Sequence, residues 1–222
     1  MDVSLNQQTY DLLKRDIMTF NLMPGEPVSA AKIAERYQVS RTPAREALVK
    51  LETEGLIDIF PQSKSVISKI NITRAKQEWF VRKTLELGMV DSFFENVTQK
   101  DIDEMKEYCK RIKEFGNSLK NNDNSFDYLE CDDGFHAVTY RAAGETIAAE
   151  IIKNTMSHYN RIRLLLDLHN SKKDRTVSDH NRLVELAQSG DKDGYREMLS
   201  KHLGHIVTDI ENIRKLQPEL FE

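Results

Sequence analysis

The nine residues Ser40-Arg-Thr-Pro-Ala-Arg-Glu-Ala-Leu48 constrain this chain more than any other stretch. Ser40 carries a hydroxyl suited to accept a backbone N–H at a helix start. Pro43 is tolerated only in a first turn, where amide protons lack intrahelical partners. Ala44, Ala47, Leu48 and Leu51 then fall at i, i+3, i+4 and i+7, a stripe to be buried. Arg41 and Arg45, one turn apart, lie to one side of it, with Thr42 further round toward solvent. A short helix with an apolar back and arginines on its first turns suits the DNA major groove, where arginine pairs bidentately with guanine O6 and N7. Taken alone, the stretch reads equally well as a surface helix with two solvated arginines.

Its neighbours decide between the two. Val28-Ser29 opens a preceding short helix, Ala30 to Tyr37, with Ala30, Ile33, Ala34 and Tyr37 on one side. Gln38-Val39-Ser40 is short enough to be the turn between two crossing helices. Upstream, Tyr10 to Phe20 carries Leu13, Ile17 and Phe20 at helical spacing until Met23-Pro24-Gly25 interrupts it. Downstream, Gly55 ends the arginine helix. Leu56 to Phe60 and Ser65 to Ser68 read as two short strands joined by Pro61-Gln62-Ser63-Lys64. Three helices and a β-hairpin make a winged helix-turn-helix, whose hairpin touches the DNA backbone or minor groove.

Residues 7–69 resemble, along their whole length, the winged-helix domain of GntR-type bacterial regulators. The resemblance rests on Pro24 to Ser29 (PGEPVS), Ile33 to Leu48 (IAERYQVSRTPAREAL) and Leu51 to Ile57 (LETEGLI). It implies that Arg41 and Arg45 contact DNA, with Ser40 and Thr42 holding phosphates. Two positions depart from the family pattern. Ala31 stands where an arginine is common, leaving neighbouring Lys32 as a point charge. The wing tip reads Gln62-Ser63-Lys64-Ser65 without the usual glycine, so Lys64 is the candidate phosphate contact there.

The charge balance does not itself point to DNA. The chain is slightly acidic, net −4, and its first 70 residues hold as many acids as lysines and arginines. Positive charge is local instead: Arg36, Arg41, Arg45 and Lys50 lie in or beside the two central helices. This implies a focused patch, doubled by dimerisation, and a marked salt dependence. Cys109 and Cys131 form no paired framework and fit a reducing cytosol. No apolar run approaches the roughly 18–20 residues that cross a bilayer, and there is no signal-peptide core, so a cytoplasmic protein is expected. A chain of 222 residues has room for two domains.

Residues 1–70 are expected to be the first domain, and residues 71–222 an all-α antiparallel helical bundle joined through Asn71-Ile72. Thr73–Asn96, Gln99–Asn121, Ser125–Ala143, Glu145–His169, Lys173–Ser189 and Asp191–Lys215 all space apolar residues by three or four. The chemistry here lies in histidines. Asp132 and His136 are spaced i, i+4, so both reach one point on a helix face. His180 lies on the stripe Val177, Leu183, Val184, Ala187, and His202 on Leu199, Leu203, Ile206. Three imidazoles and one carboxylate converging in a bundle core suit a first-row divalent metal such as Zn, Ni or Mn. Any one of these histidines alone is better explained as a hydrogen-bonded core residue, and His158, His169 and His205 keep that reading.

The order Asp132 to His136 (DDGFH), Ser178 to Ala187 (SDHNRLVELA) and Lys201 to Leu203 (KHL) is similar to the FCD-type ligand domain of FadR-subfamily GntR regulators. The resemblance implies that Asp132, His136, His180 and His202 ligate a metal with open positions. It also places Arg82, in Phe80 to Glu86 (FVRKTLE), at the ligand cavity. A surface ion pair with Glu86, one turn on, explains Arg82 nearly as well. The function expected is a homodimeric regulator, a repressor, on a palindromic double-stranded operator, responding to a small organic acid. A metal-dependent hydrolase fused to a DNA-binding module, and a constitutive DNA binder with a structural metal, stand as rivals.

Overall fold

The computed structural model describes residues 4–60, 64–118, 122–168 and 173–222. Ser4 accepts from the Gln7 amide and starts α1 (Leu5–Met18), ahead of the expected Tyr10 start. Ser29 caps α2 (Ala30–Tyr37) through the Lys32 amide. Val28, expected to open that helix, lies instead in a short strand, β1 (Pro27–Val28). α2 ends at Gln38, whose φ of 55° is left-handed, and the chain turns through Val39 and Ser40 into α3 (Arg41–Thr53).

Gly55, at φ 77°, follows the end of α3, and a side chain there would strike the Arg74 guanidinium. β2 (Ile57–Ile59) and β3 (Ser65–Ile67) pair antiparallel, Ile57 opposite Ile67. β1 joins the other side of β3, giving the order β1-β3-β2. The expected hairpin is therefore part of a three-stranded sheet; a two-residue strand carries no alternation for a sequence to show. Leu13, Ile17, Ile33, Ala44, Leu51, Leu56 and Ile67 are buried between helices and sheet. Gln62 and Ser63 of the wing tip lie outside the described residues, while Lys64 is exposed.

From Ile72 to Leu216 the described chain is helical: α4 (Ile72–Gly88), α5 (Val90–Asn96), α6 (Gln99–Ser118), α7 (Asn122–Ala142), α8 (Thr146–Thr155), α9 (Ser157–Leu168), α10 (Lys173–Ser189) and α11 (Lys192–Leu216). A 3₁₀ turn, Pro218–Leu220, follows. Two expected helices are each broken in two: Thr73–Asn96 at Met89 and Glu145–His169 at Met156. His169 itself lies outside the described residues. α7 packs on α6 and α9, α10 on α6 and α11, and α4 on α9 and α11. Phe93, Met105, Ile112, Phe135, Ile162, Leu183 and Ile210 fill the space between them. No described helix is long and apolar enough to cross a membrane. Cys109 and Cys131 are buried and unpaired.

Candidate DNA-reading helix and metal centre

Arg41, Thr42 and Arg45 are exposed on α3, whose Pro43, Ala44, Ala47, Leu48 and Leu51 are buried. Ser40 occupies the N-cap position in extended conformation, yet its hydroxyl accepts no backbone N–H. The expected cap bond fails for a covalent reason. The third helical residue is Pro43, which has no N–H to give. The Ser40 hydroxyl is thus left exposed beside Arg41. Lys32 is exposed on α2, with its ammonium 3.3 Å from the Pro27 carbonyl oxygen. The patch is narrower than the sequence suggests. Arg36 donates to Asp16 at 2.8 Å, and Lys50 sits 3.6 Å over the Tyr10 ring. Both serve the packing of the three-helix unit.

The structure brings Asp132, His136, His180 and His202 together from α7, α10 and α11. One ligand atom from each lies within 4.8 Å of the others. His180 Nε2 is 3.2 Å from His202 Nε2 and 3.5 Å from Asp132 Oδ1, and His136 Nε2 is 4.0 Å from Asp132 Oδ2. Glu86 Oε2 lies 2.7 Å from His136 Nδ1, and Asp179 Oδ2 lies 3.3 Å from His202 Nδ1. A carboxylate on Nδ1 holds the proton there and leaves the Nε2 lone pair facing its neighbours. His136 Nε2 is buried with no hydrogen-bond partner among the described residues. That orphaned nitrogen, pointing at two more imidazoles and a carboxylate, fits a divalent cation. Burial pushes His180 well below the usual histidine range, keeping it in the neutral form a metal needs. Burial alone would raise Asp132, but Arg163, then His180 and His136, hold its carboxyl well below the usual range.

Beside this cluster is a cavity of about 80 Å³ lined by Arg82, Arg163, Arg175, Tyr159, His202 and His205, among others. Arg82 is neither free nor at the surface: it is fully buried and donates to Glu86 at 2.6 Å. The ion pair with Glu86 and a place at the cavity, rival explanations at the level of sequence, are both present. Glu86 also accepts from Tyr140 at 2.7 Å, so one carboxylate ties Arg82 to His136. Burial would raise Glu86, but His136 and Arg82 hold it far below the usual range.

Four charged residues of this site escaped the sequence: Arg163, Glu86, Asp179 and Arg175, which lines the cavity and donates to Asp209 at 2.6 Å. Arg163 pairs with both Asp132 and Asp133, the latter at 2.7 Å. Its signal was present: Arg161 and Arg163 interrupt an otherwise apolar run, Ile162 and Leu164 to Leu166, where charge demands a partner. Glu86 was visible only as a partner for Arg82. Asp179 reaches His202 across two helices, and no spacing along the chain encodes that. His205 Nε2 lies 3.2 Å from Asp179 but makes no hydrogen bond with it. His158 is a hydrogen-bonded core residue, as expected.

α9 joins this site to the winged helix. Tyr159 and Arg163 line the cavity, while His158 Nδ1 accepts from the Asn71 amide at 3.1 Å. Arg161 donates to the Ser68 carbonyl at 2.9 Å, and Ser68 Oγ donates to the Gly55 carbonyl at 2.6 Å. Glu78 accepts from the Tyr159 amide and from Arg74, which donates to the Glu54 carbonyl at 3.0 Å. Asn71 is accordingly pinned: it caps α4, and its side chain donates to Glu222 at 2.8 Å.

Residues 5–67 match the bacterial regulatory proteins of the gntR family, and residues 79–205 match the FCD domain. The chain is 28% identical over 219 residues to the HTH-type transcriptional repressor RspR of Escherichia coli strain K12, covering 98% of this chain and 93% of that protein. It is 29% identical over 212 residues to an HTH-type transcriptional regulator of Streptomyces ambofaciens, covering 96% and 87%. Among solved structures, E. coli McbR/YncC has a TM-score of 0.74 at 21% identity, covering 97% of this chain and 99% of that one. A GntR transcriptional regulator from Rhodococcus sp. RHA1 has a TM-score of 0.76 at 14% identity, covering 95% and 99%. At these identities the two structures support the fold alone.

Proposed function

This chain belongs to the GntR family of bacterial transcriptional regulators with an FCD domain, and from that premise we propose a metabolite-responsive repressor whose operator affinity is set by a small organic acid at a divalent metal. The families and relatives it matches are transcriptional regulators, not enzymes, which sets the hydrolase reading aside. One observation carries the proposal. The four potential ligands Asp132, His136, His180 and His202 meet beside a cavity lined by three arginines and, besides Asp132, one further acid, Asp209.

In this reading Asp132, His136, His180 and His202 hold Zn, Ni or Mn, and Glu86 and Asp179 orient two of the imidazoles. The cation supplies open coordination positions for a carboxylate. Arg82, Arg163 and Arg175 supply charge complementary to the rest of an acid small enough for the cavity. Occupancy there is felt at Tyr159 and Arg163, and α9 carries it to His158 and Arg161 at the winged helix. A coupling of about 1–3 kcal/mol is enough for a useful switch. At the other end Arg41 and Arg45 read bases, while Ser40, Thr42, Lys32 and Lys64 hold phosphates.

Residues 1–70 form the DNA-reading unit and residues 71–222 the sensing and dimerising unit of a cytoplasmic homodimer. Two copies would set their α3 helices about one DNA turn apart, on a palindromic operator. Support for a second copy comes from apolar side chains left on the outside: Phe80 and Val81 on α4, and Ile147 and Ile151 on neighbouring α8, are exposed.

The test begins with selection of binding sequences from random double-stranded DNA by the full-length protein. A palindromic consensus is expected, with binding badly weakened in Arg45→Ala. Hydroxy acids, sugar acids and dicarboxylates are then titrated against the operator complex with and without divalent metal. Release by an acid only in the metal-loaded protein, lost in His180→Ala, is the expected result. Selection without a consensus would sink the DNA reading. A response to no acid, with metal removal lowering only thermal stability, would leave a constitutive DNA binder with a structural metal.

A further inference from the structure

A second cavity lies between the winged helix and the helical domain, and nothing in the proposed switch uses it. It measures about 490 Å³, within the roughly 300–1,000 Å³ of pockets that hold drug-sized ligands. Its apolar walls come from three helices: Met18 from α1, Phe126 and Leu129 from α7, and Ala149 and Ile152 from α8, with Met156 just beyond. Small residues line it where larger side chains would fill the space: Ala149, half-buried on α8, and Ala137, at the exposed rim on α7. The metal-side cavity and this one share Arg82 as a common wall. The adjacent acids of α7 part company: Asp132 lines the metal side and Asp133 lines this one.

We propose that this cavity is a separate effector site for an uncharged, largely aromatic or branched apolar small molecule carrying one hydrogen-bonding group. The charges around it cancel. Lys14, Arg82 and Lys153 face Glu130, Asp133 and Glu150 in the lining, and three of these are already paired beyond it, Lys14 with Glu54, Arg82 with Glu86 and Asp133 with Arg163. An ionic ligand would gain no net attraction there and would lose its hydration. The methionines and Phe126 suit a ring, since thioether sulfur packs well at an aromatic edge. Asp133 and Asn160, both of which accept from Arg163, are polar groups next to the apolar walls that can bond a single donor or acceptor on the ligand. A second copy of the chain is the less suitable occupant. The exposed apolar residues Phe80, Val81, Ile147 and Ile151 all lie outside the lining, and four exposed or half-exposed charged side chains, Lys14, Glu130, Glu150 and Lys153, belong to it. Interface cores are depleted in such charges. A molecule seated there touches Met18 of α1 and the α7–α8 wall together, and so bears on how the DNA-reading unit sits. The site does not depend on the metal reading.

The probe is N-phenyl-1-naphthylamine, uncharged, with two aromatic bodies and one N–H, whose fluorescence rises in apolar surroundings. Titrated into the full-length protein, it should saturate at one site per chain. The anionic analogue 8-anilinonaphthalene-1-sulfonate should bind at least tenfold more weakly. Ala149→Phe, and separately Ala137→Trp at an exposed position, fill the cavity from different helices. Each should weaken the neutral probe at least tenfold and abolish the probe's effect on operator affinity, while leaving thermal unfolding and oligomeric state unchanged. Unsaturable binding, or undiminished affinity in both filled variants, would overturn the proposal. So would a filled variant that changes the oligomeric state, because the groove would then belong to a contact between copies.

Discussion

Glu86 accepts from Arg82, His136 and Tyr140, so its loss has two separable consequences. Glu86→Leu leaves the Arg82 cation buried without its principal partner and should cost about 3–5 kcal/mol, measured by chemical denaturation. Glu86→Gln keeps the shape but weakens the hold on His136 Nδ1. It should lower divalent-metal affinity by about 10–100-fold in a competition titration, whereas an unchanged affinity would remove Glu86 from the metal site. His158 gives a pH prediction away from that site. Burial, then the charges of Arg161 and Arg74, press it down to about 3, while a bond to the Gly55 backbone acts the other way. Glu78, on α4, accepts from the His158 backbone. A histidine held neutral in the fold takes up a proton on unfolding below about pH 6.5, so its contribution falls as pH drops from about 6.5 toward 3. Wild type should therefore lose stability over that window more steeply than His158→Gln, by up to about 1.4 kcal/mol per pH unit. Parallel curves would refute the assignment. The residues legible in the sequence are those whose chemistry repeats along one helix, such as Asp132 with His136. Glu86 and Asp179 were not, because each meets its histidine only across a helix–helix contact.

α9 carries the cavity on one side and the winged helix on the other, and Arg161 is its most exposed liability in energetic terms. Its side chain is fully buried, Nη1 bonds Ser68, and Nε and Nη2 have no hydrogen-bond partner among the described residues. Burial pulls its guanidinium down to about 10, against which Asp58 is a weak counterweight. Removing a buried, poorly paired charge relieves its desolvation cost, which offsets the roughly 1–3 kcal/mol lost by leaving the Ser68 carbonyl unsatisfied. Arg161→Met is expected to keep or raise stability in denaturant while reducing the effect of acid on operator affinity, because the bond to Ser68 is gone. A fall of several kcal/mol would show that Arg161 is satisfied in place. The same element shows where sequence reading stops. Glu145–His169 looks continuous because the apolar spacing runs on through Met156, which is itself buried. At Met89 the backbone ladder also continues, Met89 N to Leu85 O and Phe93 N to Met89 O, so periodicity carries no mark of the bend. The helix ends that were legible, at Gly55, Gly144 and Gly190, are those where glycine takes a positive φ.

At the scale of the molecule, net charge and function pull against each other, because an acidic chain must hold a polyanion. The resolution proposed is concentration of charge: Arg36 and Lys50, though exposed, are engaged by Asp16 and the Tyr10 ring, leaving Arg41, Arg45, Lys32 and Lys64 for DNA. With so few contacts, a single winged helix would bind weakly, and affinity would come from using the patch twice. Salt dependence counts those contacts. Each phosphate neutralised on duplex DNA steepens the log–log slope of affinity against salt by about 0.9. Lys64→Ala removes one contact per chain, so the slope should become shallower by about 2 for a dimer and by about 1 for a monomer. Arg45→Ala should instead weaken binding to the selected operator far more than to random DNA, since a lost bidentate base contact costs about 1–3 kcal/mol of discrimination. Filter binding or anisotropy on both DNAs across a salt series reads all of this at once. A slope change near 1, with sedimentation showing one chain, would exclude the symmetric dimer. No change at all would place Lys64 off the DNA and leave α3 to hold the operator alone.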